Sequence, residues 1–208
     1  MIKVKICGIT NLEDALLASS FGADALGFIF SKKSPLYISE QAAKNIIDKL
    51  DPFVVKTGVF VDDEKEKVLD VATQLNLDVL QFHGKESPGY CHFFKHKFSV
   101  IKVFFLEDRP YKEKTSRYGV DLFMFDIKYE EKEKGKSIVS AEILKEITGL
   151  IKAGKRVIIS GGLNIKNISK VIKISPYAVD VASGIEKLVG KKDDQTMKIF
   201  IGKAKASE

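Results

Sequence analysis

The stretch KVKICGIT, residues 3–10, alternates lysines with apolar residues until a glycine ends the alternation. This period-two pattern predicts a β-strand over Ile2–Ile6 that is broken at Gly8. Thr10 or Asn11 then offers a side-chain oxygen of the kind that caps a helix N-terminus. The chain therefore begins with a strand that is followed directly by a helix.

The same strand-and-helix unit recurs along the chain. Seven further short apolar runs predict strands, at Ala25–Phe30, Phe53–Val61, Val79–Phe82, Val100–Leu106, Leu122–Phe125, Val157–Ile159 and Ala178–Ala182. The later helices are predicted at Glu40–Leu50, Asp62–Leu75, Ser87–Lys97, Tyr111–Tyr118, Ala141–Ala153, Ile165–Ile174 and Asp194–Lys205. Strands that alternate with helices in this way pair in parallel through right-handed crossovers.

Two architectures accommodate such units. An open, doubly wound sheet usually has fewer strands and a Gly-rich dinucleotide loop after the first of them. Here the first loop reads Cys7-Gly8-Ile9-Thr10 and lacks that fingerprint. We therefore predict an α/β fold consisting of one (β/α)₈ TIM barrel domain over residues 1–208, with eight parallel strands.

Composition and charge narrow the functional classes. The chain is 45% hydrophobic, which is too apolar for a disordered protein. Its net charge is +6, and the basic residues are spread along the sequence, whereas nucleic-acid-binding proteins usually cluster them. Two cysteines are too few for a disulfide framework, and neither a signal peptide nor an apolar run of about 18 residues is evident. We expect a cytoplasmic monomer or homodimer that binds a small anionic substrate and neither nucleic acid nor membrane.

Candidate acid–base residues lie where strands end. In a barrel, reacting groups come from the carboxyl ends of strands, which here include Cys7 and Asp126. Strand parity points Lys5 and Cys7 into the barrel, so the ammonium is expected to lower the thiol pKa. A desolvated Asp126 can keep a proton and donate it. The alternative is one packed cysteine and one capping aspartate.

Two glycine loops suggest a phosphate site. Ser160-Gly161-Gly162 and Ser183-Gly184 follow the last two predicted strands, where barrels commonly bind phosphate. Glycine lets backbone N–H groups approach an anion, and a short helix starting at Ile185 would add its positive dipole end. The alternative is that these glycines only turn the chain.

Other clusters are weaker candidates. Cys91, His92 and His96 are predicted on an outer helix without an acidic partner, so we predict no metal site there. The aromatic residues around them are expected to face the core, although some would suit a subunit contact: Tyr90, Phe93, Phe94 and Phe98. The charge run over residues 130–136 is either a solvated loop or a lid.

Several motifs together resemble the phosphoribosylanthranilate isomerase family over essentially the whole chain. They are Lys5-Ile6-Cys7-Gly8-Ile9-Thr10, Gly58-Val59-Phe60-Val61, Gln81-Phe82-His83-Gly84, Asp126, Ser160-Gly161-Gly162-Leu163-Asn164, Val179-Asp180-Val181-Ala182-Ser183-Gly184-Ile185-Glu186 and Gly190-Lys191-Lys192-Asp193. In combination they are far more specific than any one of them.

The resemblance implies a barrel enzyme that converts N-(5-phosphoribosyl)anthranilate to 1-(2-carboxyphenylamino)-1-deoxyribulose 5-phosphate in tryptophan biosynthesis. This aldose–ketose isomerase, formally an intramolecular oxidoreductase, works without metal or organic cofactor. The resemblance assigns the general base to Cys7, the general acid to Asp126, and the phosphate site to both glycine loops, with Gly161, Gly162, Ser183 and Gly184. We further predict that the substrate contacts Lys5, Gln81, His83 and Asp180.

Two departures from the family pattern leave alternatives open. Leu36 stands where the family usually has an arginine that binds the anthranilate carboxylate, and Lys32 or Lys33 would have to compensate. The loop over 133–140 keeps only Gly135-Lys136-Ser137 of a glycine-rich run. The chain is alternatively a related sugar-phosphate isomerase with another aglycone, or a non-catalytic sugar-phosphate-binding barrel.

Overall fold

A computed structural model describes residues 1–128, 130–131 and 137–206, and its centre is a closed barrel of eight parallel strands in chain order. The strands are β1 Lys3–Cys7, β2 Ala25–Ile29, β3 Val55–Phe60, β4 Val79–Phe82, β5 Ser99–Phe104, β6 Leu122–Phe125, β7 Val157–Ile159 and β8 Ala178–Val181. The helices are α1 Leu12–Ser20, α2 Glu40–Ile47, α3 Lys65–Gln74, α4 Pro88–Phe94, α5 Tyr111–Ser116, α6 Ala141–Lys152, α7 Ile168–Ile172 and α8 Asp194–Lys205. The predicted (β/α)₈ barrel is confirmed.

Apolar side chains fill two layers, because successive residues of a strand point to opposite faces of the sheet. A small cluster fills the barrel interior and consists of Val79, Ile101, Val103, Met124, Ile158 and Ala178. A larger cluster, which includes Val4, Ile6 and Phe28, lies between the strands and the surrounding helices. The burial of each such side chain stabilises the fold by about 1.5–3 kcal/mol.

Two helices begin later than predicted, because polar side chains hold the preceding residues in turns. Before α3, Asp62 has a positive φ of 53° and its backbone N–H donates to Glu86, so the helix starts only after Glu64. Before α7, Asn164 Oδ1 accepts from the backbone N–H groups of residues 166 and 167, and the helix starts after Asn167.

The prediction of a helix that starts at Ile185 is wrong. Ser183–Ile185 forms a single 3₁₀ turn, and the chain continues as a hairpin of β9 Glu186–Leu188 and β10 Lys191–Lys192. Gly190 makes the turn with φ 79°, a conformation that suits glycine. The buried Lys192 ammonium lies 2.8 Å from Glu186, and this ion pair closes the hairpin beneath the loop after β8.

The aromatic residues of α4 are divided between core and surface. Phe94 is buried against Phe82, as expected, whereas the Phe93 side chain is 49% exposed. The rings of His92 and His96 pack edge to face. Across the described ranges, no three His, Cys, Asp or Glu side chains are grouped so as to hold a metal ion.

The charge run after β6 and the lengths of the helices bear on two further predictions. Of the charge run 130–136, predicted as a solvated loop or a lid, residues 132–136 lie outside the described residues. None of the helices in the described part of the chain has the length and apolarity needed to span a membrane.

Candidate active site

A cavity of about 110 Å³ opens at the carboxyl ends of the strands. Its lining includes Cys7 from β1, Gln81 and His83 from the end of β4, Asp126 after β6, Ser160 after β7, Asp180 on β8 and both glycine loops. The structure thus brings together all the predicted site residues except Lys5, which lies beneath Cys7 and contacts Asp180.

Strand register explains this convergence. β1 and β8 are hydrogen-bonded neighbours, and their register places Lys5 beside Asp180. Cys7 follows Lys5 by two residues and therefore points to the same inner face, one level nearer the mouth. Ser160 likewise follows the inward-facing Ile158, so parity was the signal that could have assigned Ser160 a role in the site.

Lys5 and Asp180 form a buried ion pair. Lys5 Nζ lies 2.8 Å from Asp180 Oδ1, and both side chains are almost fully buried. Burial alone lowers the pKa of Lys5, but the attraction of Asp180 and of Cys7 outweighs it, so the net pKa lies above the ordinary lysine value. Lys5 is therefore a fixed positive charge at neutral pH.

Cys7 lies close to that charge, but burial outweighs the effect of Lys5 on its thiol. A Cβ added to Gly27 would come within 2.8 Å of Cys7 Sγ and 2.9 Å of Lys5 Nζ, so a glycine is needed opposite both groups. Burial raises the pKa of the Cys7 thiol by more than Lys5 lowers it. Lys5 therefore lowers the thiol pKa as predicted, but burial, reinforced by Asp180, outweighs it, so the net pKa lies above the ordinary thiol value.

Asp126 is held at both carboxyl oxygens. Oδ1 accepts from the Ile127 backbone N–H at 2.6 Å, and Oδ2 lies 3.1 Å from Ser160 Oγ. Ser160 Oγ also lies 2.9 Å from Asp180 Oδ2. His83 Nε2 is 3.8 Å from Asp126 Oδ2, which is beyond hydrogen-bond distance.

Gln81 and His83 present a matched pair of polar groups to the cavity. Gln81 Nε2 lies 3.1 Å from His83 Nδ1, so the amide donates to that ring nitrogen and the ring proton resides on Nε2. Burial lowers the pKa of His83 by more than Asp126 raises it, which keeps the ring neutral at pH 7. Gln81 is 1% exposed, and its Oε1 has no hydrogen-bond partner in the described structure.

The two glycine loops pack so closely that side chains are excluded. Gly161 and Gly162 have φ values of 85° and 82°, and a Cβ on Gly161 would lie 2.9 Å from Asp126 Oδ1. A Cβ on Gly184 would overlap the carbonyl oxygen of Leu163. These contacts explain why both loops need glycine near the cavity, independently of any ligand.

Leu36 lies next to the end of β1. Its side chain is buried and occupies the space over Gly8, immediately after Cys7. Lys32 and Lys33, the predicted replacements for the missing arginine, are exposed in the preceding turn. Leu36 therefore contributes an apolar surface where the family usually has a cation.

The family model and the curated relatives identify the same family. The family model described as N-(5'phosphoribosyl)anthranilate (PRA) isomerase matches residues 4–203. The curated N-(5'-phosphoribosyl)anthranilate isomerase of Thermotoga maritima is 41% identical over 207 residues, which is 99% of each chain.

Solved structures give the same result. One phosphoribosyl anthranilate isomerase, in complex with reduced 1-(o-carboxyphenylamino)-1-deoxyribulose 5-phosphate, is 39% identical with a TM-score of 0.83 and 99% of both chains covered. Another structure is described as mutually generated monomers of the dimeric isomerase from Thermotoga maritima. It is 37% identical with a TM-score of 0.87, again over 99% of both chains.

Proposed function

Since this chain belongs to the N-(5'-phosphoribosyl)anthranilate isomerase family, we propose that Cys7 and Asp126 are the general base and general acid of its reaction. That reaction is the Amadori rearrangement of N-(5-phosphoribosyl)anthranilate to 1-(2-carboxyphenylamino)-1-deoxyribulose 5-phosphate in tryptophan biosynthesis. The observation that carries the residue assignment is that a thiol and a carboxyl group face one cavity beside two glycine loops.

The proposed sequence uses one proton transfer at each group. Asp126 donates a proton to the ribose ring oxygen, the C1–O bond breaks, and the anilino nitrogen supplies the electron pair that forms the iminium. Cys7, as thiolate, then removes the proton from C2, and its electron pair neutralises the iminium to give an enolamine. Tautomerisation of the enolamine gives the ketone. Each positioned acid or base contributes about 10²–10⁴-fold.

The remaining site residues are proposed to orient the sugar phosphate. Backbone N–H groups of the loops with Gly161, Gly162, Ser183 and Gly184 bind the phosphate. The unpartnered Gln81 Oε1 accepts from a substrate hydroxyl, because a buried acceptor without a partner costs about 1–3 kcal/mol. The neutral His83 donates from Nε2. Lys5 and Asp180 complete the predicted binding set.

An isomerase assay on the purified protein and its variants tests this assignment. Cys7→Ser and Asp126→Asn are each expected to lower kcat by about 10²–10⁴-fold. Cys91→Ser is the matched control, because Cys91 is also a buried free cysteine but lies on α4 outside the barrel. Near-normal turnover in either site variant would refute the assignment.

Leu36 favours one alternative, a sugar-phosphate isomerase that takes a less acidic aglycone. Leucine cannot make the bidentate, charge-assisted pair that arginine makes with a carboxylate. If kcat/KM is equal or higher for a substrate without the ring carboxylate, this alternative replaces the leading function. Binding of phosphorylated ligand without turnover would instead support a non-catalytic barrel.

The proposed reaction also defines the class of isomerase. We propose an aldose–ketose isomerase, formally an intramolecular oxidoreductase, that uses side chains alone and needs neither metal nor organic cofactor. The proton transfers at the ring oxygen and at C2 each have a side chain to perform them, and the final tautomerisation moves a proton from the C2 hydroxyl to C1. Full activity after exhaustive dialysis against a chelator is the expected result.

We also propose a homodimer formed through the amino ends of the barrel strands, in a reducing compartment such as the cytoplasm. Phe53 precedes β3 on that face and is 93% exposed beside a cavity of about 530 Å³. An exposed aromatic side chain beside a cavity with apolar walls suits an interaction surface. The described dimeric relative supports the assembly, and the free thiols of Cys7 and Cys91 support the compartment.

A further inference from the structure

Ser160 lies between two carboxyl groups, but its hydroxyl group has only one proton to donate. Its Oγ is 3.1 Å from Asp126 Oδ2 and 2.9 Å from Asp180 Oδ2, and all three residues are buried. A serine hydroxyl has one proton to donate, and ionised carboxylates only accept. Both contacts are full, two-centre hydrogen bonds only if one of the two carboxyl groups carries a proton and donates it to Oγ.

The charges nearby decide which carboxyl group that is. Asp180 accepts from the Lys5 ammonium at 2.8 Å, and the net pKa of Lys5 lies above its ordinary value, so a positive charge is fixed beside Asp180. Among the described residues, the nearest potential cation to Asp126 is His83 at 3.8 Å, and its neutral ring supplies no charge. Of the two carboxyl groups, Asp126 is therefore the one on which these charges favour the shared proton.

We propose that Ser160 is a positioning residue that holds the acidic proton on Asp126. Lys5 and Asp180 fix the direction in which the Ser160 hydroxyl group donates its hydrogen bond. In this arrangement the Ser160 hydroxyl donates to Asp180 Oδ2, and the proton on Asp126 Oδ2 is donated to Ser160 Oγ. The proposal rests on the proposed function and adds to it the origin of the acid's proton. Sequence reasoning placed Ser160 in a phosphate loop and assigned it no acid–base role.

Every element around Asp126 bears on this arrangement. His83 faces Asp126 from β4, Asp180 from β8, and Lys5 and Cys7 stand on β1. Lys102 on β5 is paired with Glu86 at 2.9 Å, and Lys128 after β6 is paired with Glu107. Among the described residues, Lys5 is thus the cation linked to Asp126 through the Ser160 and Asp180 hydrogen bonds, and its charge is already matched by Asp180.

Infrared spectroscopy of the substrate-free enzyme tests where the proton resides. Protein labelled with ¹³C at the aspartate carboxyl groups is compared with unlabelled protein at neutral pH, and a protonated carboxyl band that shifts on labelling is expected. Asp126→Asn should remove that band. Ser160→Ala should also remove it or reduce it by more than half, whereas Ser160→Thr, which keeps the hydroxyl, should retain it.

Kinetics give the second measurement. Ser160→Ala is expected to lower kcat by about 10- to 100-fold, the value of a lost hydrogen bond to a charged or acidic group, while KM changes by less than about threefold. Ser160→Thr should recover most of kcat. Thr57→Val is the control, because Thr57 is another buried hydroxyl inside the barrel but stands on β3, four strands from Ser160.

The outcomes separate this proposal from the function on which it rests. An active wild-type enzyme that lacks the protonated band, or keeps it in Ser160→Ala, overturns the proposal and leaves the isomerase function intact. An inactive wild-type enzyme that shows the band overturns the function alone. If Ser160→Ala does not fold, the proposal is judged on Ser160→Thr, and loss of the band in that folded variant refutes it.

Discussion

The two ends of the barrel differ in size and in chemistry. The cavity at the carboxyl ends is about 110 Å³ and is lined by a thiol, two carboxyl groups, a histidine and two glycine loops. The cavity at the amino ends is about 530 Å³, and its walls include Val55, Val79, Ile101 and Leu122. Among the described residues, the larger cavity is lined by charged side chains such as Lys3 and Asp24 but by no cysteine, histidine or glycine, so chemical character rather than volume favours the smaller cavity as the site.

Strand direction explains the difference. In a barrel of parallel strands, all carboxyl ends lie on one face, and the loops that follow them carry the reacting groups. The amino ends lie on the other face, which contributes to stability. Lys5 belongs to both ends, because it lines the amino-end cavity and reaches Asp180 near the catalytic end. Changes that affect the two ends unequally can therefore test the comparison.

The largest expected effect comes from Lys5→Met. Removal of the ammonium leaves Asp180 buried without its partner, which is expected to lower the free energy of unfolding by about 3–5 kcal/mol. Lys3→Met is the control on the same strand, because the Lys3 side chain is 55% exposed and its pairing with Asp24 contributes about 0–1 kcal/mol. Urea denaturation measures both, and equal losses would show that the Lys5 pair has no special role.

Thiol ionisation gives the next effect and concerns the catalytic end alone. Because burial raises the pKa of Cys7, its thiolate should form at a higher pH than that of an exposed cysteine. The stability contributed by the neutral thiol is therefore present below the ordinary thiol pKa and is lost as pH rises through the folded-state pKa. Lys5, Asp180 and Lys192 are the charged groups that act on this thiol.

Thiolate absorbance measures this ionisation when the titration of the Cys7→Ser variant is subtracted from that of the wild type. The subtraction removes Cys91, whose pKa burial raises to about 12. Lys5→Met should move the Cys7 transition to still higher pH, since Lys5 is the main group that lowers its pKa. A transition below the ordinary thiol value would show that the sequence-based expectation was correct after all.

The fold was largely predictable because periodicity is a local property. Each short apolar run marked a strand, and the last helix was predicted with its observed limits, Asp194–Lys205, since an aspartate caps it and glycine does not interrupt its apolar face. The hairpin after β8 was missed because a distant contact holds it: Lys191 pairs with Asp14 on α1. No local pattern reports a partner that lies so far away along the chain.

The site was predictable in its members and not in its electrostatics. Strand parity pointed Lys5 and Cys7 inward, but it could not show that Asp180 on the neighbouring strand takes up the lysine charge. Whether burial or charge dominates at Cys7 depends on that third group. The role of Ser160 likewise needed the distances to two carboxyl groups from β6 and β8.

A smaller effect is expected from Leu36→Arg at the catalytic end. If the carboxylate site is weakened by the leucine, the arginine should lower KM for the anthranilate substrate by about tenfold, through a bidentate pair. Leu36→Met is the matched control, since it changes the shape of the buried side chain without adding charge. An unchanged KM in Leu36→Arg would show that another cation already binds the carboxylate.

The smallest effect on turnover should come from the amino end, where Phe53→Glu is expected to leave kcat within about twofold while dissociating the proposed dimer. A charge in place of an interface anchor must be desolvated on association, which opposes it strongly. Phe93→Glu on α4 is the control, because Phe93 is the other exposed aromatic residue considered for a subunit contact. Sedimentation velocity of the two variants decides between the two surfaces. If Phe93→Glu dissociates the dimer and Phe53→Glu does not, the interface lies on α4 and not at the amino ends of the strands.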